Sequence, residues 1–111
     1  MRRGEVWRVR LPAVSGHAQA GERPALVRQH DASTAVLPTV LVVPFTGSLA
    51  AARFAGTLRV DPDATNGLTM PSIALAFRLR AVDQQDCVQR LGEVDAPTLA
   101  AVVALIKDLA G

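Results

Sequence analysis

Short stretches in which apolar and polar residues alternate, separated by turn-forming residues, are the feature that most constrains how this chain folds. The first stretch, residues 5–11, places Trp7, Val9 and Leu11 on one face, which is typical of a half-buried strand. By the same alternation, or by a near-continuous apolar run, further strands are predicted at residues 25–28, 39–45, 57–60, 73–82 and 88–91. Several short strands of this kind predict a small β-barrel.

The longest of these segments, residues 73–82, is predicted to be one strand. Its alternation would turn apolar side chains inward and arginines outward, with Ile73, Leu75, Phe77 and Leu79 inside and Arg78 and Arg80 outside. In the third strand, Pro44 is expected to end the strand or to mark a bulge, because proline cannot donate a backbone hydrogen bond.

A long loop is predicted at residues 12–23, which are rich in Gly, Pro, Ser and small polar residues. Pro24 is then expected to open the second strand, where a first residue need not donate to a neighbouring strand. This loop places the most polar part of the chain directly before a strand of the sheet.

The end of the chain has helical periodicity. Asp95 is a plausible N-cap and Pro97 falls in the first turn. Apolar residues then recur at helical spacing, at Leu99, Val102, Val103, Ile106 and Leu109. The predicted fold class is therefore mainly β with α: a small β-barrel with a C-terminal helix packed against it.

Length and composition limit the kind of protein this is. The chain has 111 residues, half of them hydrophobic, which predicts a single domain over residues 1–111. Cys87 is the only cysteine, so neither an internal disulfide nor a cysteine zinc site is possible. No apolar segment reaches membrane-spanning length, and the expected location is the cytoplasm. Without a phosphate-binding glycine loop or a histidine pair at metal spacing, no cofactor and no metal are expected.

Charge is distributed unevenly along the chain. Residues 1–60 contain eight arginines and three acidic residues, whereas residues 61–111 contain four basic and seven acidic residues. Eleven of the twelve basic residues are arginines, whose guanidinium groups suit phosphate. A GC-rich genome would explain the arginine bias equally well, so composition alone does not locate a nucleic-acid site.

Three residues are candidates for chemistry at a phosphate. His17 lies in the predicted loop, where a solvated imidazole would titrate near neutral pH. Arg23 precedes Pro24, whose ring holds the backbone before it extended and so fixes the direction of the arginine. Thr46 follows the apolar strand and precedes Gly47, which permits close approach of a ligand. Each residue alone has an ordinary structural explanation, and only their joint occurrence favours a site.

Four segments of the sequence, RGEVWRVRLP, GHAQAGERPALV, VVPFTG and RLRAVDQQ, resemble the MazF/PemK/Kid-like toxins of bacterial type II toxin–antitoxin pairs. The resemblance runs from Arg3 to the C-terminal helix, in matching order and spacing. It implies an SH3-like barrel of the MazF/CcdB kind and a homodimer whose groove binds single-stranded RNA. It also implies a metal-independent endoribonuclease in which the 2′-hydroxyl attacks the phosphate, leaving a 2′,3′-cyclic phosphate and a 5′-hydroxyl.

The resemblance assigns roles to particular residues. Arg23 and Thr46 would be catalytic, and His17 would exchange protons with the 2′-oxygen or the leaving oxygen. RNA would be bound by the side chains of Gln19, Glu22, Ser48, Arg78 and Arg80.

The chain departs from the family pattern at three positions. Some members have an acidic residue where this chain has Ala18, and an arginine and an acid where it has Leu75 and Phe77. The last two are predicted to be core residues. Proton transfer would then depend more heavily on His17 and Glu22.

The resemblance also implies a protein partner, a MazE-like antitoxin whose C-terminal segment binds the groove of the dimer. We expect that segment to be acidic, and operator DNA to be bound only through the antitoxin complex. Two other functions stay open: a toxin of the same fold that binds DNA gyrase, and a catalytically inactive member that binds RNA or antitoxin. Gyrase-binding relatives use aromatic residues at the C-terminus, which residues 107–111 lack.

Overall fold

The fold is an antiparallel sheet with an α-helix at its end, seen in a computed structural model that describes residues 1–11, 21–28 and 36–110. Its strands are β1 (Glu5–Leu11), β2 (Gly21–Val27), β3 (Thr39–Thr46), β4 (Thr57–Val60), β5 (Ser72–Leu75), β6 (Arg80–Asp83) and β7 (Cys87–Glu93). The helix α1 spans Ala96–Ala110, and short 3-10 helices span Leu49–Arg53, Ala76–Arg78 and Gln84–Asp86. The prediction of a mainly β, barrel-like fold with a C-terminal helix is confirmed.

Strand β3 changes its pairing partner along its length. The strands run in the order β4-β5-β3-β2-β1-β7, and β6 also pairs with β3. Residues 39–42 of β3 pair with β6, whereas Phe45 and Thr46 pair with β5. Pro44 lies between these two pairings, so β3 does not end at Pro44 but changes partner there and continues to Thr46. One strand therefore belongs to both halves of the sheet.

Strand β2 begins earlier than the sequence suggests. Residues 21–23 were predicted as loop, yet they pair with β1, with Gly21 opposite Leu11. Pairing with β3 begins only at Ala25, so Pro24 lies where β2 has a neighbour on one side only. A proline is tolerated at such an edge position, which explains why it falls inside the strand rather than at its start.

The prediction of a single strand over residues 73–82 is wrong. The chain forms β5, then the 3-10 helix Ala76–Arg78, and then β6. The alternating pattern did not reveal the end of β5, because Ala74 and Ala76 are also buried and β5 is enclosed on both faces. Leu75 is a core residue as predicted, but Phe77 is 41% exposed and is not. The 3-10 helix redirects the chain so that β5 and β6 pair with different parts of β3.

Two apolar cores lie on opposite faces of the part of the sheet that β1, β2 and β3 form. Alternation along β2 divides its side chains, with Leu26 in the first core and Ala25 and Val27 in the second. The first core contains Val6, Leu26, Val43, Phe45, Val60, Leu68, Ala74, Val94 and Val102. The second contains Val9, Leu11, Ala25, Val27, Val40, Val42, Val82 and Cys87. Trp7 packs against the second core, which agrees with the face predicted for β1.

Helix α1 begins as predicted. The backbone N–H of Thr98 donates to Oδ1 of Asp95 at 2.8 Å, and hydrogen bonds from the Thr98 side chain and backbone lower the pKa of Asp95. Leu99 and Ile106 pack against the first core, whereas Leu109 is half-exposed. Within the described ranges, no helix is both long enough and apolar enough to cross a membrane.

The carboxylate of Glu5 connects the start of the chain to β7. It accepts hydrogen bonds from Nε of Arg90 at 2.7 Å, Nε1 of Trp7 at 3.1 Å and the backbone N–H of Arg2 at 2.7 Å. Burial, the largest single effect, raises the pKa of Glu5, but the hydrogen bonds and the charge of Arg90 outweigh it and lower the pKa overall. The ionised carboxylate therefore fixes β1 to β7 at this edge.

The turn between β4 and β5 packs directly against β7. Asn66 is buried, and its side-chain amide donates to the carbonyl of Asp61 at 2.9 Å while its Oδ1 accepts from the N–H of Leu68 at 3.0 Å. The backbone N–H of Glu93 donates to the carbonyl of Thr65 at 2.9 Å. A Cβ at Gly92 would lie only 2.1 Å from that same carbonyl oxygen, so this approach requires glycine.

Candidate active site

A pocket of about 510 Å³ opens where β2 and β3 separate from each other. Strand β2 contributes residues 22–24, and the end of β3 with the following turn contributes residues 45–48. The segment before β5 closes the far side with residues 68–70 and Ser72. The volume is that of an ordinary ligand pocket, which lies between roughly 300 and 1,000 Å³.

The register of the sheet brings Arg23 and Thr46 together. The pairing between β2 and β3 ends with Ala25 opposite Pro44. Continued two residues further, the same register would place Arg23 opposite Thr46, with both side chains on one face. The recorded pairing of β2 with β3 does not extend this far, and the half-buried side chains of Arg23 and Thr46 both line the pocket.

The turn after β3 orients the hydroxyl group of Thr46. The backbone N–H of Ser48 donates to Oγ1 of Thr46 at 3.2 Å. That bond uses the oxygen as an acceptor, so the hydroxyl proton can still be donated to another group. Gly47 between them is exposed and lines the pocket, which gives a ligand access to the backbone of the turn.

Among the described residues that line the pocket, Arg23 carries a positive charge and Glu22 a negative one. The two arginines of the neighbouring strand β1 do not line the pocket, and the guanidinium of Arg8 donates to Oε1 of Gln89 on β7 at 2.6 Å. Arg10 lies 3.9 Å from Asp86, an exposed pair that weakens its charge only slightly. Glu22, which is exposed, is the one carboxylate among the described pocket residues.

Four of the sequence-predicted site residues are thus brought into one pocket: Glu22, Arg23, Thr46 and Ser48. Arg78 and Arg80 are not part of it. The guanidinium of Arg78 lies 5.8 Å from the ring centre of Phe77, beside a different pocket, and Arg80 belongs to β6, opposite Val42. They were separated from the pocket because the strand predicted to carry them is interrupted at Ala76. His17, Gln19 and Ala18 lie outside the described residues.

Sequence reasoning missed the far wall of the pocket, which Leu68, Thr69, Met70 and Ser72 form. The turn residues Asn66 and Gly67 marked a change of direction there, but nothing in the pattern indicated that the following segment faces β2 and β3. Among the described residues, no three His, Cys, Asp or Glu side chains are close enough to hold a metal ion together. Burial and the charge of Asp86 raise the pKa of Cys87, which disfavours its thiolate.

The chain thus forms a barrel-like antiparallel sheet in which an arginine and a threonine line one pocket. Residues 2–110 match the family of PemK-like, MazF-like toxins of type II toxin–antitoxin systems. The chain belongs to this family.

Known relatives agree with this membership. The chain is 28% identical to endoribonuclease EndoA of Bacillus subtilis, over 86% of this chain and 81% of the relative. It is 30% identical to endoribonuclease MazF of Staphylococcus saprophyticus, over 82% of this chain and 75% of the relative. The crystal structure of MazF from Deinococcus radiodurans superposes with a TM-score of 0.82 at 26% identity, covering all of this chain and 96% of the other. A crystal structure of the MazE–MazF complex of that organism superposes with a TM-score of 0.77 at 27% identity, with the same coverage.

Proposed function

We propose that this chain is the toxin of a type II toxin–antitoxin system and that it cleaves single-stranded RNA as an endoribonuclease. The observation that carries the proposal is the joint presence of Arg23 and Thr46 in one pocket at the open ends of β2 and β3. The family match and the endoribonuclease names of the relatives support it. We infer a single domain over residues 1–111 that acts in the bacterial cytoplasm, where its RNA substrate is found.

The proposed reaction uses the RNA as its own nucleophile. The 2′-oxygen attacks the adjacent phosphorus and loses its proton while the bond from phosphorus to O5′ breaks. The products are a 2′,3′-cyclic phosphate and a 5′-hydroxyl, and the departing O5′ takes up a proton. Because the attacking group is the 2′-hydroxyl, DNA would bind without being cut.

The pocket residues divide this work according to their chemistry. Arg23 offers a planar set of N–H donors and a positive charge, so its role is to stabilise the charge that develops on the phosphoryl oxygens in the transition state. Thr46, whose oxygen accepts from the N–H of Ser48, donates its proton to a non-bridging oxygen and holds the phosphate in line. Glu22 in the pocket and His17 in the preceding segment are the groups proposed to exchange protons with the 2′-oxygen and O5′. No step in this scheme requires a metal ion.

The decisive experiment incubates the purified protein with a long single-stranded RNA and with DNA of the same sequence, both in EDTA. We expect discrete RNA fragments ending in 2′,3′-cyclic phosphate and 5′-hydroxyl by mass spectrometry, with the DNA intact. Fragments ending in 3′-hydroxyl and 5′-phosphate would contradict the mechanism. Intact RNA together with inhibition of DNA gyrase supercoiling would instead support the gyrase-binding alternative.

A second surface suits a protein partner. We define the aromatic patch as Phe54, Phe77 and Leu109, all between 41% and 49% exposed, with Arg53 and Arg78 at its border. The two rings meet edge to face at 6.2 Å, and the guanidinium of Arg53 lies 4.7 Å from the ring centre of Phe54. A pocket of about 330 Å³ lies beside the rings.

The charge of the patch identifies the kind of partner. Phe54 directly follows the 3-10 helix Leu49–Arg53, and Phe77 lies in the 3-10 helix Ala76–Arg78. Each of these helices contains an arginine and no acidic residue. A segment that combines apolar and acidic side chains would complement this surface. We therefore assign the patch to the antitoxin, bound by a homodimer of this chain, with operator DNA reached only through that complex. The solved MazE–MazF complex of a relative supports an antitoxin as the partner.

Charge reversal at the patch tests this assignment. Arg53→Glu and Phe54→Ala are each expected to weaken the affinity for the cognate antitoxin about tenfold or more, measured by calorimetry, because they remove a complementary charge and an aromatic contact. Arg59→Glu, at an exposed arginine of β4, is the control and should bind nearly as tightly as the unmodified protein. Sedimentation of each variant monitors the dimer. Unchanged affinity would show that the antitoxin does not bind there. Conversion of the patch variants to monomers would instead assign the patch to the contact between the two copies of the chain.

A further inference from the structure

The pocket around Arg23 and Thr46 has an apolar wall that the proposed phosphate chemistry does not use. Met70 lines this wall and is 54% exposed, so its side chain is accessible to a ligand in the pocket. A nucleotide also has a polar part and an apolar part, namely a charged phosphate and a flat base whose faces are apolar. The polar side of the pocket fits the first part, and the Met70 side fits the second.

The surrounding residues hold Met70 in this position. The hydroxyl of the buried Ser72 donates to the backbone carbonyl of Met70 at 3.0 Å, which fixes the chain at that point. On the other side, the Met70 sulfur packs against Gly47 so closely that a Cβ on Gly47 would lie 2.8 Å from it. The absence of a side chain at Gly47 therefore allows the thioether to lie over the turn that carries Thr46. Thioethers contact aromatic rings favourably and adapt to their shape.

We propose that Met70 is a specificity-determining residue, whose thioether packs against the face of one base next to the phosphate held by Arg23 and Thr46. This inference rests on the proposed RNA cleavage. A side chain that contacts the face of a base distinguishes one base from another by their size and stacking strength rather than by hydrogen bonds. Met70 therefore strengthens substrate binding and favours certain bases at one position beside the cut, without taking part in bond making or breaking.

The test is to determine the cleavage sites of Met70 variants on an RNA pool of random sequence, together with kcat and KM on the best single substrate. Met70→Ala is expected to raise KM about tenfold with little change in kcat, and to flatten the base preference at one position beside the cut. Met70→Leu conserves volume and should keep the preference. Gly47→Ala should act in the same direction as Met70→Ala, because it displaces the thioether. Val88→Ala, at an exposed apolar residue of β7, is the matched control and should leave the pattern unchanged.

A second measurement separates this inference from the proposed function. Binding of a single-stranded RNA with one fluorescent purine base and a 2′-deoxy linkage at the cleavage site reports base packing without any cleavage. We expect Met70→Ala to weaken this binding about tenfold and to relieve the quenching of the purine. If the unmodified protein cleaves RNA but Met70→Ala has the same cleavage pattern and the same binding, the inference is wrong and the proposed function stands. If the unmodified protein cuts no RNA, the proposed function fails, and unchanged binding by Met70→Ala would overturn the inference as well.

Discussion

Arg23→Ala is expected to lower the rate of RNA cleavage by about 100-fold or more, the scale of loss when one preorganised charge or donor is removed from a transition state. The fold should be preserved, because Arg23 belongs to neither apolar core and its strand is paired with β1 on one side. Arg23→Lys keeps the charge but loses the planar fork of donors, so an intermediate rate is expected. Thr46→Val removes only the hydroxyl and should also slow cleavage.

The measurement is a single-turnover cleavage rate at saturating enzyme, with thermal unfolding recorded for each variant. Arg59→Ala is the control, because this exposed arginine of β4 pairs with Asp61 outside the pocket. Wild-type rates in Arg23→Ala with an intact fold would remove Arg23 from the mechanism. Equal losses in Arg23→Ala and Arg59→Ala would indicate general attraction of RNA to positive charge rather than a role at the phosphate.

Gly92→Ala is expected to destabilise the protein by about 3 kcal/mol or more, the upper range for an overpacked interior. The added Cβ would lie 2.1 Å from the carbonyl oxygen of Thr65 and 2.7 Å from the carbonyl carbon of Asn66. Both are backbone atoms, and the turn that holds them is fixed by the hydrogen bonds of buried Asn66. The turn therefore cannot withdraw without losing these bonds.

The free energy of unfolding, from urea denaturation, checks this expectation. Gly47→Ala is the matched control, because its Cβ would meet only the flexible end of the Met70 side chain at 2.8 Å. We expect that change to cost less than about 1 kcal/mol. If Gly92→Ala and Gly47→Ala have the same stability, the packing of the turn against β7 is much looser than the structure indicates.

Local patterns in the sequence were sufficient to predict the strands and helices that have one buried face. The alternation of β1 and the capped periodicity of α1 each reflect a single apolar side, so both were predicted correctly. The segment after Ser72 was mispredicted because its small alanines are buried on the second face, where alternation carries no information. Phe77 then falls on a 3-10 helix and is exposed, although its spacing matched a core position.

The candidate site was predictable only in part. Arg23 and Thr46 were found from their local context and from the family resemblance, and the register of β2 and β3 explains why they meet. Met70 was not found, because its place in the pocket depends on how the segment before β5 packs against the turn at Gly47. Such contacts between distant segments leave no periodic pattern in a single sequence.

The pairing of β1 with β7 has a consequence for how the protein is made. Glu5 of β1 lies opposite Glu93 of β7. Strand β1 therefore cannot pair with β7 until the ribosome has synthesised nearly the whole chain. At translation rates of roughly 5–20 residues per second, the wait is on the order of 10 s. Contacts between residues far apart along the chain also form slowly in folding. The sheet is therefore incomplete until β7 has been synthesised and has paired with β1.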